Sequence, residues 1–280
     1  MVPFILETDK IEFSYLDGTK AINSLSIKIP QGKKLAVVGN NGAGKTTLFL
    51  HFNGVHRPQK GTVYFKGEEI SYHKSALKNI RKNIGIVFQD PDNQLFSSSV
   101  YQDISFGPLN LGWSEQRIRS KLDEVMTMTG ISDLQDKPTH SLSFGQKKRV
   151  AIAGVLAMEP EIIILDEPTA GLDPFYTGQI MNLLDGLNKN GATIIISSHN
   201  IDEVYAWADY IYVLNSGELI AEGNPEDVFS DGKILEKANL IKPLVLEIYD
   251  ELLGNGKVPA EHVKPKSREQ LLQLINKDKY

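Results

Sequence analysis

The sequence predicts an α/β fold with a mostly parallel, buried sheet and a separate antiparallel β region. Four runs are apolar almost without interruption, as expected for strands covered on both faces: LAVVG, IGIVF, IIIL and ATIII. Three runs in the first third alternate apolar with polar residues or combine β-branched and aromatic residues, which favours half-exposed antiparallel strands: IEFSY, LSIKI and GTVYFKG. Helical patterns separate the later apolar runs, and a broken helical tail follows them.

The composition is that of a globular protein long enough to bury a large core. Of 280 residues, 41% are hydrophobic and 23% are charged, and the net charge of -5 gives no general reason to expect nucleic-acid binding. The absence of Cys excludes disulfides and thiolate metal sites. The start, MVPFILETDK, does not resemble a signal peptide, and no run reaches the roughly 18 apolar residues of a membrane span. A membrane role would therefore depend on a partner.

The first apolar run, LAVV, leads into GNNGAGKTT, which fits Gly-x-x-x-x-Gly-Lys-Thr between a strand and a helix. In such a loop the glycines let backbone amides face phosphates, the Lys reaches the β and γ oxygens, and the next hydroxyl can ligate Mg²⁺. We therefore expect Lys45 to bind phosphate and Thr46 to bind the metal. The predicted nucleotide loop comprises Gly39, Asn40, Asn41, Gly42, Ala43, Gly44, Lys45, Thr46 and Thr47.

Polar side chains follow the other three apolar runs. IGIVF is followed by Gln89, IIIL by Asp166 and Glu167, and ATIIISS by His199. Separately, Gln89 would more often bond within a loop, and His199 would more often cap a helix or lie in a core. Because ligands of open α/β sheets bind beyond the carboxyl ends of the strands, we expect all four side chains near the nucleotide loop. Asp166 is predicted to bind Mg²⁺, and Glu167 to act on the attacking water.

Two helices are predicted between IGIVF and IIIL. In the first, Ile118, Leu122, Val125 and Met126 recur at helical spacing after Ser114, a candidate N-cap. The second begins in LSFGQKKRVAIAGVLAM.

The start of this second helix is a candidate anion site. Ser143 and Gly145 lie at a helix N-terminus, and three cations follow, which would strengthen the positive potential: Lys147, Lys148 and Arg149. The nucleotide loop already supplies one complete phosphate cradle. A second anion site therefore implies another ligand or a second copy of the chain.

The last third predicts a hairpin and a helical tail. YIYVLNSGELIAEG has the pattern of two strands joined at Asn-Ser-Gly. From about Asp231 short amphipathic pieces follow, and Ser267 with Gln270 forms a capping-box pattern. We expect this extension, residues 231–280, to pack against the main domain, residues 1–230, or to aid dimerisation. Its pieces are broken at Pro243, Gly254, Gly256, Pro259 and Pro265.

The order of these motifs resembles that of ATP-binding-cassette ATPases. LSFGQ resembles the signature of that family, and the loop, Gln89, LSFGQ, ILDEP, GLD and His199 follow its order over about residues 4–230. The resemblance implies a P-loop NTPase fold of ABC type, with an antiparallel β subdomain, a helical signature subdomain at about residues 90–158, and ATP and Mg²⁺ as ligands. It also implies a head-to-tail dimer, in which each signature contacts the γ-phosphate held by the partner chain. The signature residues are Ser143, Phe144, Gly145 and Gln146.

The resemblance also implies roles for single residues. Tyr15 resembles the aromatic that stacks on adenine, with an ordinary strand aromatic as the alternative. Gln89 resembles the residue that contacts Mg²⁺ and water, His199 the γ-phosphate contact, and Asp173 in AGLDP the acidic residue at the dimer seam. Phe144 departs from the Gly that is commoner at its position.

A narrower resemblance is to the ATPases of energy-coupling-factor importers for vitamins and metal ions, and within these to cobalt importers. It rests on VFQDPDNQLFSSSVYQDISFGPLNLG, on LSFGQKKR, and on the helical tail. It implies an ATP-hydrolysing subunit at the cytoplasmic face of the cell membrane, bound to integral membrane subunits and to a second identical or related ATPase, with no nucleic acid. The alternative is a soluble cassette ATPase that acts on nucleic acid or ribosomes, although the chain has no long heptad insertion and no basic arm.

Overall fold

The computed structural model describes residues 4–258 and 264–277. Its strands are β1 (Phe4–Ser14), β2 (Lys20–Pro30), β3 (Lys34–Val38), β4 (Lys60–Phe65), β5 (Glu68–Glu69), β6 (Ile84–Val87), β7 (Ile162–Leu165), β8 (Thr193–Ser197), β9 (Tyr210–Asn215) and β10 (Glu218–Gly223). Its helices are α1 (Lys45–Phe52), α2 (Lys74–Asn83), α3 (Val100–Asn110), α4 (Glu115–Met128), α5 (Phe144–Leu156), α6 (Pro174–Lys189), α7 (Ile201–Trp207), α8 (Pro225–Ser230), α9 (Gly232–Ala238), α10 (Leu244–Gly254) and α11 (Arg268–Lys277).

The uninterrupted apolar runs form the central sheet, in the order β10-β9-β3-β8-β7-β6. Strands β6, β7, β8, β3 and β9 are parallel in register, and β10 returns antiparallel to β9. The predicted hairpin therefore extends the parallel sheet through β9. Each face of the sheet is covered, because alternate residues of a strand enter different clusters: in β7, Ile162 and Ile164 pack on one side and Ile163 and Leu165 on the other.

The alternating runs form a second, antiparallel sheet, in the order β2-β1-β4-β5. Its buried residues share one core cluster with α1 and with one face of the central sheet. In β2, Ile22, Leu25, Ile27 and Ile29 are buried while the polar residues between them are mostly exposed, as the alternation predicts. The predicted mixed architecture is confirmed.

The two helices predicted between IGIVF and IIIL are α4 and α5, and α3 precedes them. The apolar face of α4 is buried as predicted, and the Ser114 hydroxyl accepts from the Arg117 amide at 3.4 Å. Helix α3 packs against both α4 and α5. These helices form one unit beside the parallel sheet and carry the signature at the start of α5.

The tail contacts the main core more closely than its sequence suggests. Leu235 and Ala238 of α9 and Leu246 of α10 belong to the main core cluster, whereas Tyr249 and Leu271 belong to a small cluster of α10 and α11. The predicted break at Pro259 lies outside the described residues. The boundary at residue 231 stays a prediction.

The predicted capping box at the last helix is only partly formed. The Ser267 hydroxyl accepts from the Gln270 amide at 3.3 Å, but Gln270 returns its side-chain bond to the Lys266 amide, one residue before the cap. No helix within residues 4–258 and 264–277 is long and apolar enough to cross a membrane.

Candidate functional site

A cleft of about 650 Å³ lies at the carboxyl ends of β3, β7 and β8. It brings the nucleotide loop together with all four polar residues that follow the other strands, as the sequence predicts. Its lining consists of residues 39–47 and of Tyr15, Thr19, Lys20, Ala21, Gln89, Asp166, Glu167, Ser198, His199, Ile201, Asn239, Leu240 and Ile241.

The nucleotide loop joins β3 to α1 through glycines that no other residue could replace without strain. Gly39 and Gly44 have φ of 147° and 102°, and a Cβ there would lie 2.2 Å from the Leu214 carbonyl oxygen and 2.5 Å from the Ala21 carbonyl oxygen. Helix α1 starts at Lys45 with no side chain capping it. The amides of its first turn are therefore available to an anionic ligand.

Lys45 lies folded over this loop, and its Nζ donates to the carbonyl oxygens of Gly39, at 2.6 Å, and Asn40, at 3.2 Å. Burial lowers the pKa of Lys45 below its ordinary value, and the nearby carboxylates of Glu167 and Asp166 partly oppose that shift.

Asp166 is held by hydroxyls from two elements. One carboxylate oxygen accepts from Thr46 Oγ1 at 2.5 Å and the other from Ser197 Oγ, at the end of β8. Ser197 Oγ also accepts from the Glu167 amide at 2.9 Å, so one buried hydroxyl orients both acidic residues. Sequence reasoning missed Ser197, although a polar residue ending the buried run ATIIIS was a visible signal.

Glu167 and His199 form a direct pair. His199 Nδ1 donates to Glu167 Oε2 at 2.7 Å, and the His199 amide approaches the same oxygen at 3.4 Å. The Glu167 side chain is buried, whereas 70% of the His199 side chain is exposed in the cleft. Since Nδ1 faces the carboxylate, Nε2 remains for a ligand. Glu167 has a left-handed backbone, with φ of 49°, which is unusual for a residue with a Cβ.

Tyr15 directly follows β1 and borders the cleft. Its hydroxyl shares a hydrogen bond of 2.9 Å with Thr47 Oγ1, and its ring meets the edges of Phe13 and His56. The ring is 40% exposed. A fixed, half-exposed aromatic ring beside a phosphate loop is suited to stacking on a base.

The signature residues do not line the cleft of their own chain. Ser143 caps α5 in a capping box: its hydroxyl accepts from the Gln146 amide, and Gln146 Oε1 accepts from the Ser143 amide at 3.0 Å. The Phe144 ring packs over Gly171, just before Asp173. The Asp173 carboxylate caps α6 by accepting from the amides of residues 175 and 176.

The structure corrects the expectation for the three cations after the signature, because each is engaged within the chain. Lys147 pairs with Asp92 at 2.6 Å, and Arg149 donates to the Gly130 carbonyl at 2.6 Å. Lys148 is fully buried. Burial lowers its pKa to about 8, although three nearby carboxylates oppose the shift. The anion site at the start of α5 therefore depends on the helix terminus more than on these side chains.

The tail supplies cleft residues that sequence reasoning also missed. Asn40 Nδ2 donates to the Ala238 carbonyl at 3.3 Å, and the Leu244 amide donates to the Asp202 carboxylate, in the first turn of α7, at 2.6 Å. The segment between these bonds carries the lining residues Asn239, Leu240 and Ile241. The tail pattern gave no signal for this placement.

The sequence model of the ABC transporter family matches residues 22–170, which include the nucleotide loop, Gln89, the signature and both acidic residues. The chain belongs to the ABC transporter family. The energy-coupling factor transporter ATP-binding protein EcfA of Methanocaldococcus jannaschii is 48% identical over 258 residues, 92% of either chain. A relative from Methanosarcina mazei is 49% identical over 252 residues, which are 90% of this chain but 56% of that longer protein.

Comparison with solved structures supports the same family assignment. CbiO1 of Clostridium perfringens, described as part of the ABC transporter complex CbiONQ, matches with a TM-score of 0.74 and 48% identity over 89% of this chain and 99% of that chain. The ABC cassette MJ0796, solved as a dimer in a post-hydrolysis state bound to ADP and Pi, matches with a TM-score of 0.72 and 28% identity over 79% of this chain and 98% of that chain. The chain is thus an ABC ATPase of the energy-coupling-factor type, and the predicted fold and family are confirmed.

Proposed function

We propose that this ABC ATPase hydrolyses ATP between two ATPase subunits, identical or related, and so drives the membrane subunits of an energy-coupling-factor importer at the cytoplasmic face of the membrane. One observation carries the proposal. The cleft holds the nucleotide loop, Asp166, Glu167 and His199, whereas Ser143 at the free end of α5 lies outside it. A second subunit that brought its own Ser143 to this cleft would complete the grip on the triphosphate, and MJ0796, a 28% identical cassette, has been solved as a dimer.

ATP would bind with its adenine on the half-exposed ring of Tyr15 and its phosphates over the loop amides. Lys45 Nζ would replace its hydrogen bonds to the two loop carbonyls, at 2.6 and 3.2 Å, with hydrogen bonds to phosphate oxygens. The backbone amides of the signature, with Ser143 and Gly145, would face the γ-phosphate from the partner. Asp173, whose loop packs beside Phe144, would lie at the seam.

The residues present fit Mg²⁺. Thr46 and Asp166 place a hydroxyl and a carboxylate in contact at the cleft, Gln89 lines the same cleft, and all three offer hard oxygen ligands. Among the described residues no group of three or more His, Asp or Glu residues could hold a metal ion alone. That set suits an ion which keeps waters and shares the phosphates of the nucleotide. When bound, Mg²⁺ would neutralise charge on the β and γ phosphates.

Hydrolysis would depend on the Glu167 and His199 pair. The Glu167 carboxylate would accept a proton from the attacking water, and Ser197 holds its backbone by accepting from the Glu167 amide. His199 holds Glu167 Oε2 through Nδ1 and would present Nε2 to the γ-phosphate. These roles are mainly positioning and electrostatic stabilisation, as in other phosphoryl transfers.

An apolar groove of about 1040 Å³ favours a membrane partner over nucleic acid. Its wall includes Phe96 and Phe106, which are 65% and 49% exposed and stack edge to face at 4.8 Å. Exposed aromatic patches of this kind mark protein interfaces. The groove also contains Phe88 and Gln94, close in sequence to Gln89, so its occupant could act on the cleft. We propose an integral membrane subunit as the occupant, and cobalt, another metal ion or a vitamin as the cargo.

Complementation tests the shared site. Lys45→Ala and Ser143→Arg subunits, each of which we expect to be inactive as a homodimer, are mixed with different affinity tags, and the doubly tagged dimers are assayed for ATPase activity. One of the two sites in a mixed dimer keeps both an intact loop and an intact signature, so we expect part of the wild-type activity to return. Mixed dimers without any activity would refute the head-to-tail site. Uptake of Co²⁺ into proteoliposomes with the purified membrane complex tests the cargo.

A further inference from the structure

Lys148 is a lysine buried in the interior of the protein. It lies two residues after the signature, in α5, and its relative exposure is 0%. Burying an ammonium group costs free energy unless it is well hydrogen-bonded. The hydrogen-bond partners of Lys148 therefore indicate its role. Lys148 does not line the nucleotide cleft, and it therefore does not act as a phosphate ligand within its own chain.

The Nζ of Lys148 joins two loops of the catalytic site. It donates to the backbone carbonyl of Gln89 at 2.8 Å and to the backbone carbonyl of Glu167 at 2.7 Å. It also lies 5.6 Å from the centre of the Phe144 ring, in the signature. One side chain thus touches the loop after β6, the turn after β7 and the start of α5.

The backbone at Glu167 needs this support. Its φ of 49° is left-handed, and such a conformation persists in a residue with a Cβ only where the surroundings hold it. The Glu167 amide donates to Ser197 Oγ on one side, and the Glu167 carbonyl accepts from Lys148 on the other. These two bonds fix the peptide groups from which the carboxylate projects.

The loop after Gln89 is tied to α5 a second time. Lys147 Nζ lies 2.6 Å from the Asp92 carboxylate, and the segment continues to Gln94 in the apolar groove. The Asp92 carboxylate is 61% exposed, which weakens this pair, whereas the bond to Gln89 comes from a fully buried lysine. Displacement of this loop would therefore act on α5 through both lysines.

We propose that Lys148 is a positioning residue that links the loop after Gln89, the backbone of Glu167 and the signature helix, so that the three move as one body. The inference rests on the proposed function, because Glu167 must act in hydrolysis for its position to matter. Lys148 works through the two carbonyls and touches no reacting atom. Removing its donors should loosen Glu167 while leaving the nucleotide loop intact.

The test compares Lys148→Met, which keeps the length of the side chain without a donor, with Lys148→Gln, which keeps amide donors on a shorter side chain. Lys121→Met is the matched control, since Lys121 is a mostly buried lysine on α4 paired with Glu124 and Glu159. We expect Lys148→Met to lower kcat by about tenfold or more, because a misplacement of about 1 Å can cost 10²-fold. The KM of Lys148→Met for ATP should change less than about threefold, because the substitution affects the chemical step rather than ATP binding. Lys148→Gln should keep part of the wild-type kcat, because it keeps amide donors.

Hydrogen exchange without nucleotide or metal provides a readout independent of activity. In Lys148→Met the peptides that cover residues 89–94 and 166–170 should both exchange faster than in the wild type and in Lys121→Met. The inference would be overturned if Lys148→Met showed wild-type exchange, wild-type kcat, or an effect on KM alone. It would also be overturned if Lys148→Met and Lys148→Gln were equally impaired.

If Lys148→Met does not fold, Lys148→Gln carries the test: its shorter side chain should not reach both carbonyls, so kcat should fall and exchange of both segments should rise. Wild-type kcat with wild-type exchange in that variant then overturns the inference. A wild-type membrane complex that hydrolyses no ATP would instead overturn the proposed function. The two failures are therefore distinguishable.

Discussion

At the scale of single residues, Glu167 and Glu203 are two carboxylates near His199 with different surroundings. Glu167 is bonded to His199, whereas Glu203 accepts from the Thr169 hydroxyl at 3.2 Å, and burial raises its pKa. Only Glu167 lines the nucleotide cleft. The geometry therefore distinguishes Glu167, the proposed base, from Glu203.

We expect Glu167→Gln to bind ATP normally and to lose hydrolysis, by about 10²-fold or more, because general bases contribute 10²–10⁴-fold. The measurements are equilibrium ATP binding and steady-state ATPase activity. Glu203→Gln is the control and should keep most of its turnover. The opposite pattern in the two variants would remove Glu167 from the role of base.

His51 predicts a pH dependence of stability. It is fully buried in α1, its Nδ1 lies 2.7 Å from the Thr47 carbonyl oxygen, and burial lowers its pKa to about 4 from 6.5. The unfolded chain binds a proton at His51 below pH 6.5, but the folded chain does so only near pH 4. Stability is therefore lost as pH falls through this window, by roughly 3 kcal/mol for a shift of this size. Urea unfolding at pH 7.5 and 4.5 measures the loss, and His51→Asn should show a shallower pH slope; identical slopes would contradict the assignment.

Sequence alone predicted the residues whose role depends on local chain geometry. Lys45 and Thr46 follow from the loop spacing, and Asp166 and Glu167 from their position after a buried strand. Ser197 and Lys148 could not be assigned in this way. The partners of Ser197 lie 30 and 31 residues away, and those of Lys148 are backbone carbonyls, 59 and 19 residues away, that no motif records. Only the folded arrangement of β6, β7, β8 and α5 brings these residues to their partners.

At the scale of elements, the start of α5 combines a structural and a proposed functional role in Ser143. As N-cap, the hydroxyl stabilises the helix, and as a signature residue it would meet the partner's γ-phosphate. Asp is as good an N-cap as Ser and also suits the helix dipole. It would, however, repel a phosphate.

Ser143→Asp should therefore be as stable as the wild type but poor in ATPase activity. Ser143→Ala should lose about 1 kcal/mol of stability, because no cap remains. Urea unfolding separates the two variants, and ATPase assays at saturating ATP report the phosphate contact. Normal hydrolysis by Ser143→Asp would show that this residue is a cap alone.

The elements that sequence described least well are those of the tail. Amphipathic spacing predicted short helices, and they are present, but spacing does not reveal which surface a helix covers. Leu235 and Leu246 enter the main core, and the linker between α9 and α10 lies against Asn40 and Asp202. Such placement is decided by tertiary packing and by backbone hydrogen bonds that leave no periodic signal.

At the scale of the whole molecule, the ABC cassette fold follows from the order of motifs and strands, because parallel strands place the residues that follow them, from the nucleotide loop to His199, at one edge of the sheet. The relation between two copies does not follow in the same way. The signature lies on one part of the chain and the cleft on another, so the proposed composite site would need two copies. The exposed apolar residues of the tail form a second candidate surface for the pairing of two copies.

We expect the exposed apolar residues of the tail to support pairing without nucleotide. Ile248 in α10 and Leu272 in α11 are 39% and 45% exposed, while the small cluster beneath them is buried. Ile248→Glu with Leu272→Glu would place charges on both copies of a symmetric interface without disturbing that cluster, and like charges repel. Sedimentation velocity without nucleotide should shift toward the monomer, whereas Val55→Glu, at a position 48% exposed in the main domain, should not. Unchanged sedimentation of the double variant would restrict the tail to packing within its own chain.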